Sequence, residues 1–426
     1  MSFASDYLKK HSFIIPESKE PPSGLLYFIV VIPVYLEENL WKTLRSIRRC
    51  ELPKHAIEVI LVFNYSIAET QVNKLRMEQE YVSTEKWCRE NSQDLLRFIP
   101  FLVSDLPGKH AGAGLARKIG MDAALKRFGQ VNKPHGIILS LDADTVVDLN
   151  YFKVIEEQMI TGKESGGCIL HFEHPLSGNE YNENIYRAII QYELHLRYYR
   201  HMLGYSGFPY SNYTIGSCFG VRAHVYARHG GMNRQKAGED FYFLNKLFPH
   251  IHFTNIRSTC VHPSPRPSDR VPFGTGPVIQ QLIERPETEY LTYSPHAFFS
   301  LQKLFTTVPD LYSATNLMPF MAGLEEYLRD FLHRISFEEK LTEIRRNTSG
   351  RESFTKRFFL WFNAFMIVKY LNFVHTDGFQ KIPVREAVTE ILKALDIKLS
   401  RYEAQNLLEF FRDIDRNGST LKSRSF

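Results

Sequence analysis

Between residues 26 and 160 the chain alternates repeatedly between a short apolar run and a longer stretch with helical spacing. The apolar runs fall at 26–34, 57–63, 95–103 and 137–141, and the helical patterns at 38–49, 69–90, 113–127 and 150–160. Strands with apolar side chains at successive positions, not only at alternate ones, are covered on both faces. Strand–helix alternation of this kind builds right-handed βαβ units, so the expected fold is α/β with a mostly parallel central sheet flanked by helices. That architecture also places the chemistry, because ligands of such sheets bind beyond the carboxyl ends of the strands.

From residue 166 the pattern loosens. Residues 168–172 read as a further strand, 181–203 as a long helix rich in Tyr, His and Arg, 214–228 as a glycine-rich strand or turn, and 239–247 as a helix. A Pro- and Gly-rich loop covers 263–276, and beyond about residue 294 the patterns are helical, with breaks expected near Pro309 and Gly350. The resulting division is an N-terminal arm at 1–24, an α/β domain at 25–290 and a helical extension at 291–426. A chain of 426 residues, 44% hydrophobic and 13% aromatic, has the material for both cores.

The charge balance narrows the partners. Lys plus Arg is 52 against 47 for Asp plus Glu, a net +5 that suits a phosphate-bearing ligand or an anionic surface and does not call for nucleic acid. Cys50, Cys88, Cys168, Cys218 and Cys260 are far apart and form no CxxC, which favours reduced thiols and a cytoplasmic setting. Charged residues precede the first apolar segment, so no signal peptide is expected. The apolar stretches at 25–34 and 358–368 are too short to span a bilayer, leaving peripheral contact with a membrane as the most that is expected. Residues 358–373 are aromatic and follow Lys356 and Arg357; a buried helix is favoured there over one resting on lipid. Residues 413–419 imitate the start of a calcium loop, but the twelfth position is Arg424, so a helix end and tail is expected instead.

The apolar run at 137–141 ends in Asp142-Ala143-Asp144-Thr145. Carboxylates at i and i+2 on a strand lean to one side and together suit a hard divalent cation, Mg²⁺ or Mn²⁺. Such a cation neutralises charge growing on a departing diphosphate; the plainer alternative is a strand-end turn capping the next helix. Glu239 and Asp240 follow Gly238 at a helix start, where acidic residues complement the helix dipole. Arg266 and Arg270 lie in the basic loop at 265–270, whose guanidinium forks match phosphate oxygens and which reads either as a closing lid or as a solvated loop. Lys109 and Arg117 are further candidates for donor phosphates; Arg117 stands at the third glycine position of Gly112-Ala113-Gly114, which excludes a dinucleotide-binding GxGxxG.

Taken together, these segments resemble the family 2 glycosyltransferases of GT-A fold, over roughly residues 27–265. The run from Val30 to Asn39 is similar to the family's first strand, its Pro33 and the acidic loop after it. Gly112 to Gly120 looks like its glycine and ArgAsnGly helix start, with Lys118 where Asn is usual. Asp142-Ala143-Asp144 matches its DxD motif, Gly216 to Arg222 its segment lining the donor–acceptor site, and Gly238-Glu239-Asp240 its Glu-Asp pair. The resemblance implies a Rossmann-like GT-A domain with a C-terminal helical extension. The implied activity is inverting, metal-dependent transfer of a sugar from a nucleotide-diphosphate donor to a hydroxyl acceptor, a glycan or a lipid-linked molecule. It also implies Asp240 as general base and Glu239 as the residue orienting the acceptor. Pro33, Tyr35, Glu37, Asn64 and Asp142 would meet the donor, Gly216 and Ser217 the acceptor, and Asp144, Asp142 and His262 the metal. Asn64 stands where an acidic residue usually contacts the base, and the QxxRW of processive synthases is missing, which argues against a polymerising enzyme. The alternatives are a nucleotidyltransferase of related architecture and a nucleotide- or glycan-binding module without turnover.

Overall fold

The computed structural model describes residues 2–108, 111–161, 164–235, 238–270 and 274–421. The chain begins with α1 (Ser5–His11), β1 (Leu26–Val34), α2 (Leu40–Arg49), β2 (Ala56–Ser66), α3 (Gln71–Asn91), β3 (Leu96–Leu106) and α4 (Ala113–Gln130). It continues through β4 (Ile137–Ser140), β5 (Val146–Val147), α5 (Tyr151–Thr161), β6 (Gly167–Phe172), α6 (Glu183–Tyr205), β7 (Phe219–Arg222), α7 (Ala223–Arg228), α8 (Glu239–Leu247) and β8 (Phe253–His262). The eight strands form one sheet in the order β3-β2-β1-β4-β7-β6-β8-β5. Neighbours from β3 to β4 run parallel, as do β6 and β8; β7 is antiparallel to β4 and β6, and β5 to β8. The expected α/β architecture is thus observed, with antiparallel strands beyond β4.

Strand order reverses between β1 and β4, and at such a switch point the loops leaving neighbouring strands part and open a crevice. The chain after β1, carrying Tyr35 and Glu37, and the chain after β4, carrying Asp142 and Asp144, flank that point. Beneath them β2 is buried from Ala56 to Tyr65, as continuous coverage of both faces requires.

Helix α4 is buried on nearly every side and still carries Arg117, Lys118, Asp122 and Arg127, each with at most a few per cent of its surface exposed. Charges so placed must be paired, and they are. Arg127 Nη2 donates to Glu58 at 2.6 Å. Lys118 Nζ lies 3.0 Å from Asp122, and the hydroxyls of Tyr7 and Tyr226 donate to Asp122 at 2.8 and 2.7 Å. Tyr7 belongs to α1, so the N-terminal arm contains a helix whose tyrosine completes a buried polar cluster. Lys118, which stands where the resemblance leads one to expect Asn, is the cation of that cluster.

The described residues divide into two compact units, 1–178 with 214–277, and 179–213 with 278–426. The boundary expected at residue 290 is therefore corrected: α6 and its flanks, read as part of the α/β domain, group with the C-terminal helices. The second unit continues with α9 (Thr275–Glu284), β9 (Leu291–Thr292), α10 (Pro295–Leu311), α11 (Met318–Ala322), α12 (Glu326–Arg334), α13 (Phe337–Arg346) and α14 (Arg351–Trp361). It ends with α15 (Ala364–Asp377), β10 (Ile382–Pro383), α16 (Val384–Ala394) and α17 (Ala404–Asn417). The physical reason for the regrouping is a buried ion network between α6 and α17. Glu193, fully buried, accepts from Arg197 Nε at 2.8 Å and from Arg412 Nη2 at 2.6 Å. Asp415 is held by Arg197, by His201 at 3.0 Å and by the Tyr213 hydroxyl at 2.6 Å. Burial alone would raise the Asp415 carboxyl, but His201, Arg197 and Arg200 outweigh it and hold the group well below the usual range.

One smaller expectation changes and another holds. Pro309 does not break its helix: it sits in the last turn of α10, which runs on to Leu311 and gives up only the one intrahelical bond that the proline nitrogen cannot donate. The imitation calcium loop is the end of α17, closed by Gly418 in the left-handed conformation at φ 67°. Phe358, Phe359, Phe362, Tyr370 and Leu371 are buried as expected, but on two helices, α14 and α15, and not on one. Among the described residues no single helix is long and apolar enough to cross a membrane; α14 with α15 passes only as a pair bent by 60°.

Candidate active site

The site is organised around Arg117, in the second turn of α4. Its guanidinium donates to Asp142 Oδ1 at 2.8 Å, Glu239 Oε1 at 3.1 Å, Ser140 Oγ at 2.5 Å and the Gly216 carbonyl at 3.2 Å. The Ser140 hydroxyl donates in turn to the Gly216 carbonyl at 2.6 Å. One buried cation thus gathers the end of β4, the turn before β7 and the start of α8 into a single network. This corrects the expectation for Arg117: with its side chain 4% exposed and its fork committed to protein acceptors, it positions carboxylates and does not face donor phosphates.

The start of α8 depends on Gly238, whose φ of 69° lies in the left-handed region that favours glycine. That turn presents Glu239 inward to Arg117 and puts Asp240 at the helix N-terminus, where the Phe241 N–H donates to Asp240 Oδ1 at 2.7 Å. Desolvation pushes the Asp240 carboxyl up to about 7, Glu239 adds to the rise, and Arg117 opposes it. Gly216 faces the same carboxylate; a Cβ on it would lie 2.9 Å from Arg117 Nη2 and 3.2 Å from Asp240 Oδ2. A side chain at Gly216 would therefore press on the guanidinium that holds the network. Ser217 is corrected: it is fully buried, its hydroxyl 3.6 Å from the Cys218 thiol, and it does not present itself to an acceptor.

A second cluster forms across the switch point. Arg266 Nε donates to Asp144 Oδ2 at 2.9 Å and Nη2 donates to Glu37, which also accepts from Arg270 Nη2 at 2.9 Å. Arg270 further donates to the Tyr35 carbonyl. Leu36 precedes Glu37 with φ 46°, a strained value for a leucine that turns the chain inward. Desolvation raises the carboxyls of both Glu37 and Asp144, the latter to about 7, with Arg266 opposing the rise in each. The arginines of the basic loop thus rest on the carboxylates at the ends of β1 and β4. The Tyr35 hydroxyl donates to Glu69 at 2.8 Å, Asn64 Nδ2 donates to the Gly112 carbonyl at 3.4 Å, and Pro33 pairs with Val62 within the sheet. Lys109 lies outside the described residues.

Of the residues expected to hold a hard cation, Asp144 is drawn into a cluster with Glu37, and His262 lies elsewhere. Asp144 and Glu37 offer oxygens around one point of positive charge, which a guanidinium fills in this structure. A divalent ion fits that oxygen set in place of Arg266. His262 does not join it: its Nε2 is 2.9 Å from Asp148 Oδ1 and its Nδ1 3.1 Å from the Glu173 carbonyl. Two participants escaped the sequence reading. Ser140 was legible only as a lone hydroxyl ending an apolar run, and Asp148, which also accepts from the Cys260 N–H at 2.9 Å, carried no motif.

The sequence matches no family model and no curated protein. Among solved structures, a Staphylococcus aureus TarS fragment, TarS 1-349 in complex with UDP-GlcNAc, is 15% identical with a TM-score of 0.36, covering 92% of this chain and 93% of that one. The same fragment alone gives 14% and 0.35, covering 92% and 88%. The longer TarS gives 15% and 0.33, covering 92% of this chain and 54% of that one. Likeness of that degree carries no function across.

Proposed function

We propose that the chain is an inverting glycosyltransferase of GT-A type, moving a sugar from a nucleotide-diphosphate donor to a hydroxyl of a glycan or lipid-linked acceptor. The observation that carries this reading is the Arg117 network, which ties Asp142, at the end of β4, to Glu239, about a hundred positions later and next to Asp240 at the start of α8, at one edge of the switch point. Glycosyl transfer needs those two functions side by side: anionic oxygens facing the diphosphate end of the donor and a base facing the acceptor.

In this reading Asp240 takes the proton of the acceptor hydroxyl while that oxygen bonds to the anomeric carbon. The bond from that carbon to the diphosphate breaks, and its electron pair leaves with the diphosphate. A single attack from the opposite face inverts the anomeric centre. A carboxyl held at about 7 is suited to the task, since a base works best when its pKa lies near the working pH. Glu239, fixed by Arg117, is the positioning carboxylate for the turn that carries Asp240. Asp142 and Asp144, with Glu37, would hold a divalent cation, which when bound supplies charge neutralisation for the leaving diphosphate. Arg266 and Arg270 exchange their carboxylate partners for diphosphate oxygens when donor enters, and Tyr35 and Asn64 line the nucleoside end. The setting we infer is the cytoplasmic side of envelope glycan synthesis.

The test is a thermal-shift screen of nucleotide diphosphates and their sugars with Mn²⁺, Mg²⁺ or chelator, followed by transfer assays. A donor at about 100 times its Kd adds roughly 2.7 kcal/mol to folded stability. Asp240→Asn is expected to keep that shift and lose turnover, and Asp144→Ala to lose the metal-dependent part of the shift. Full turnover in Asp240→Asn would overturn the assignment of the base.

A further inference from the structure

A group of metal-ligand side chains stands apart from the Asp144 carboxylate. His171 and Glu173 are two residues apart at the end of β6, and Cys260 and His262 two apart at the end of β8. Side chains at i and i+2 of a strand share a face. The two strands are parallel neighbours, and His171 pairs directly with Cys260. That pairing exists only because of an irregularity in the ladder: Leu170 pairs with Ile256, so residues 257–259 bulge out before Cys260 meets His171. Without the bulge Arg257 would oppose His171. Bulges of this kind re-aim side chains and are common beside functional sites.

The outcome is a cluster in which one ligand atom each from His171, Glu173 and Cys260 lies within 4.8 Å of the others. His171 Nε2 and Glu173 Oε1 are 2.7 Å apart, and Cys260 Sγ is 3.9 Å from His262 Nδ1. Ligand atoms around tetrahedral zinc stand roughly 3.5 Å from one another, given bonds of about 2.0–2.3 Å. The separations in the cluster, from 2.7 Å up to within 4.8 Å, bracket that spacing. One imidazole, one carboxylate and one thiol are a donor set for a borderline-soft cation, and the thiol argues against Mg²⁺ or Ca²⁺.

We propose that His171, Glu173 and Cys260 bind one zinc ion, with water in the fourth position. Binding releases the thiol proton, so the site takes up metal as Cys260 becomes a thiolate. His262 is the residue beside the site; its ring nitrogens already meet the Glu173 carbonyl and Asp148, which holds the ligand loop in place. The ion would tie the ends of β6 and β8 together at the root of the loop that delivers Arg266 to Asp144. It is separate from the cation of the proposed reaction, and neither depends on the other being right.

The experiment uses the full chain, purified without a histidine tag, stripped with chelator and reloaded with Zn²⁺. Metal content by mass spectrometry is expected to be one zinc per chain, lost in Cys260→Ser and in His171→Asn and kept in Asp144→Ala. Zinc is also expected to slow alkylation of Cys260, the one cysteine of the chain that is not buried, by tenfold or more. Should a variant fold poorly, Co²⁺ added to the wild-type chain decides the matter: a thiolate-to-cobalt charge-transfer band supports the site. No such band, or equal zinc in wild type and Cys260→Ser, overturns it.

Discussion

Replacing Arg117 with methionine keeps the apolar stem and removes the charge around which the site is built. Arg117 is 3% exposed and donates to two carboxylates and two neutral oxygens. Charge-assisted bonds contribute about 1.5–3 kcal/mol each. The share from Asp142 is discounted because its side chain is 36% exposed. Breaking a buried pair while leaving its partners behind costs about 3–5 kcal/mol, which agrees. The pH dependence follows from what is left: Asp142, Glu239 and Asp240 with no counter-charge. Asp240 already stands at about 7, raised by desolvation and Glu239 and held back by Arg117, so the substitution moves it further up. An acid whose pKa is higher folded than unfolded weakens the fold as pH climbs from its unfolded value, about 4, toward its folded one. Because this carboxyl weakens wild type and variant alike up to about 7, the extra deficit of Arg117→Met opens above that value and grows with pH, so it is larger near pH 8 than near pH 5. The assay is urea unfolding by tryptophan fluorescence in a Trp361→Phe background, where Trp41 and Trp87, 6.1 Å apart in the sheet unit, are the remaining reporters. A loss below about 1 kcal/mol, or a deficit equal at both pH values, refutes the view that one guanidinium holds these carboxylates together.

Three further outcomes are expected. The transfer rate should fall as pH drops through about 7, because Asp240 must be ionised to accept a proton; a profile flat from mildly acidic to mildly basic pH would assign the proton to another group. Asp415→Asn should cost about 3–5 kcal/mol at neutral pH. Because its carboxyl is depressed, that contribution is present above the unfolded value near 4 and fades as pH falls toward the folded one, so urea unfolding should show a smaller deficit at acid pH than at neutral. Tyr7→Phe removes a hydrogen bond from buried Asp122 and another from Lys118, at a cost of about 1–3 kcal/mol. It should also speed proteolysis of the N-terminal arm, and unchanged stability with unchanged cleavage would mean that α1 is held by other contacts.

The legible parts of the chain were those where local pattern and final environment agree. Continuous apolar runs announced β1, β2 and β4, and the acidic residues after β4 announced a strand end at the sheet's edge. The unread parts depend on partners distant in sequence. Arg117 looked like a phosphate ligand because nothing local shows that Asp142 and Glu239 reach it first. His262 looked like a partner for Asp144, but Asp148 and Glu173 lie nearer once β8 is aligned on β6, and that alignment turns on a bulge with no sequence signature. Ser217 sits in a recognisable motif yet is fully buried, because the turn it occupies leads into β7, which is buried along its whole length. Helix α6 has the spacing of any amphipathic helix. Only its partner α17, far along the chain, shows which core it serves.

The network between α6 and α17 also sets a clock on synthesis. Arg197 and Asp415 are 218 positions apart. At about 5–20 residues per second, α6 emerges from the ribosome roughly 10–40 s before its acidic partner exists. Through that interval a helix carrying Glu193 and Arg197 waits between β6 and β7, with the sheet on either side free to form first. A fragment ending near residue 290 would remain in that waiting state permanently, with α6 uncovered and prone to aggregate. Expression of the sheet unit alone therefore calls for replacing residues 179–213 by a short linker, not for shortening the chain from its C-terminal end.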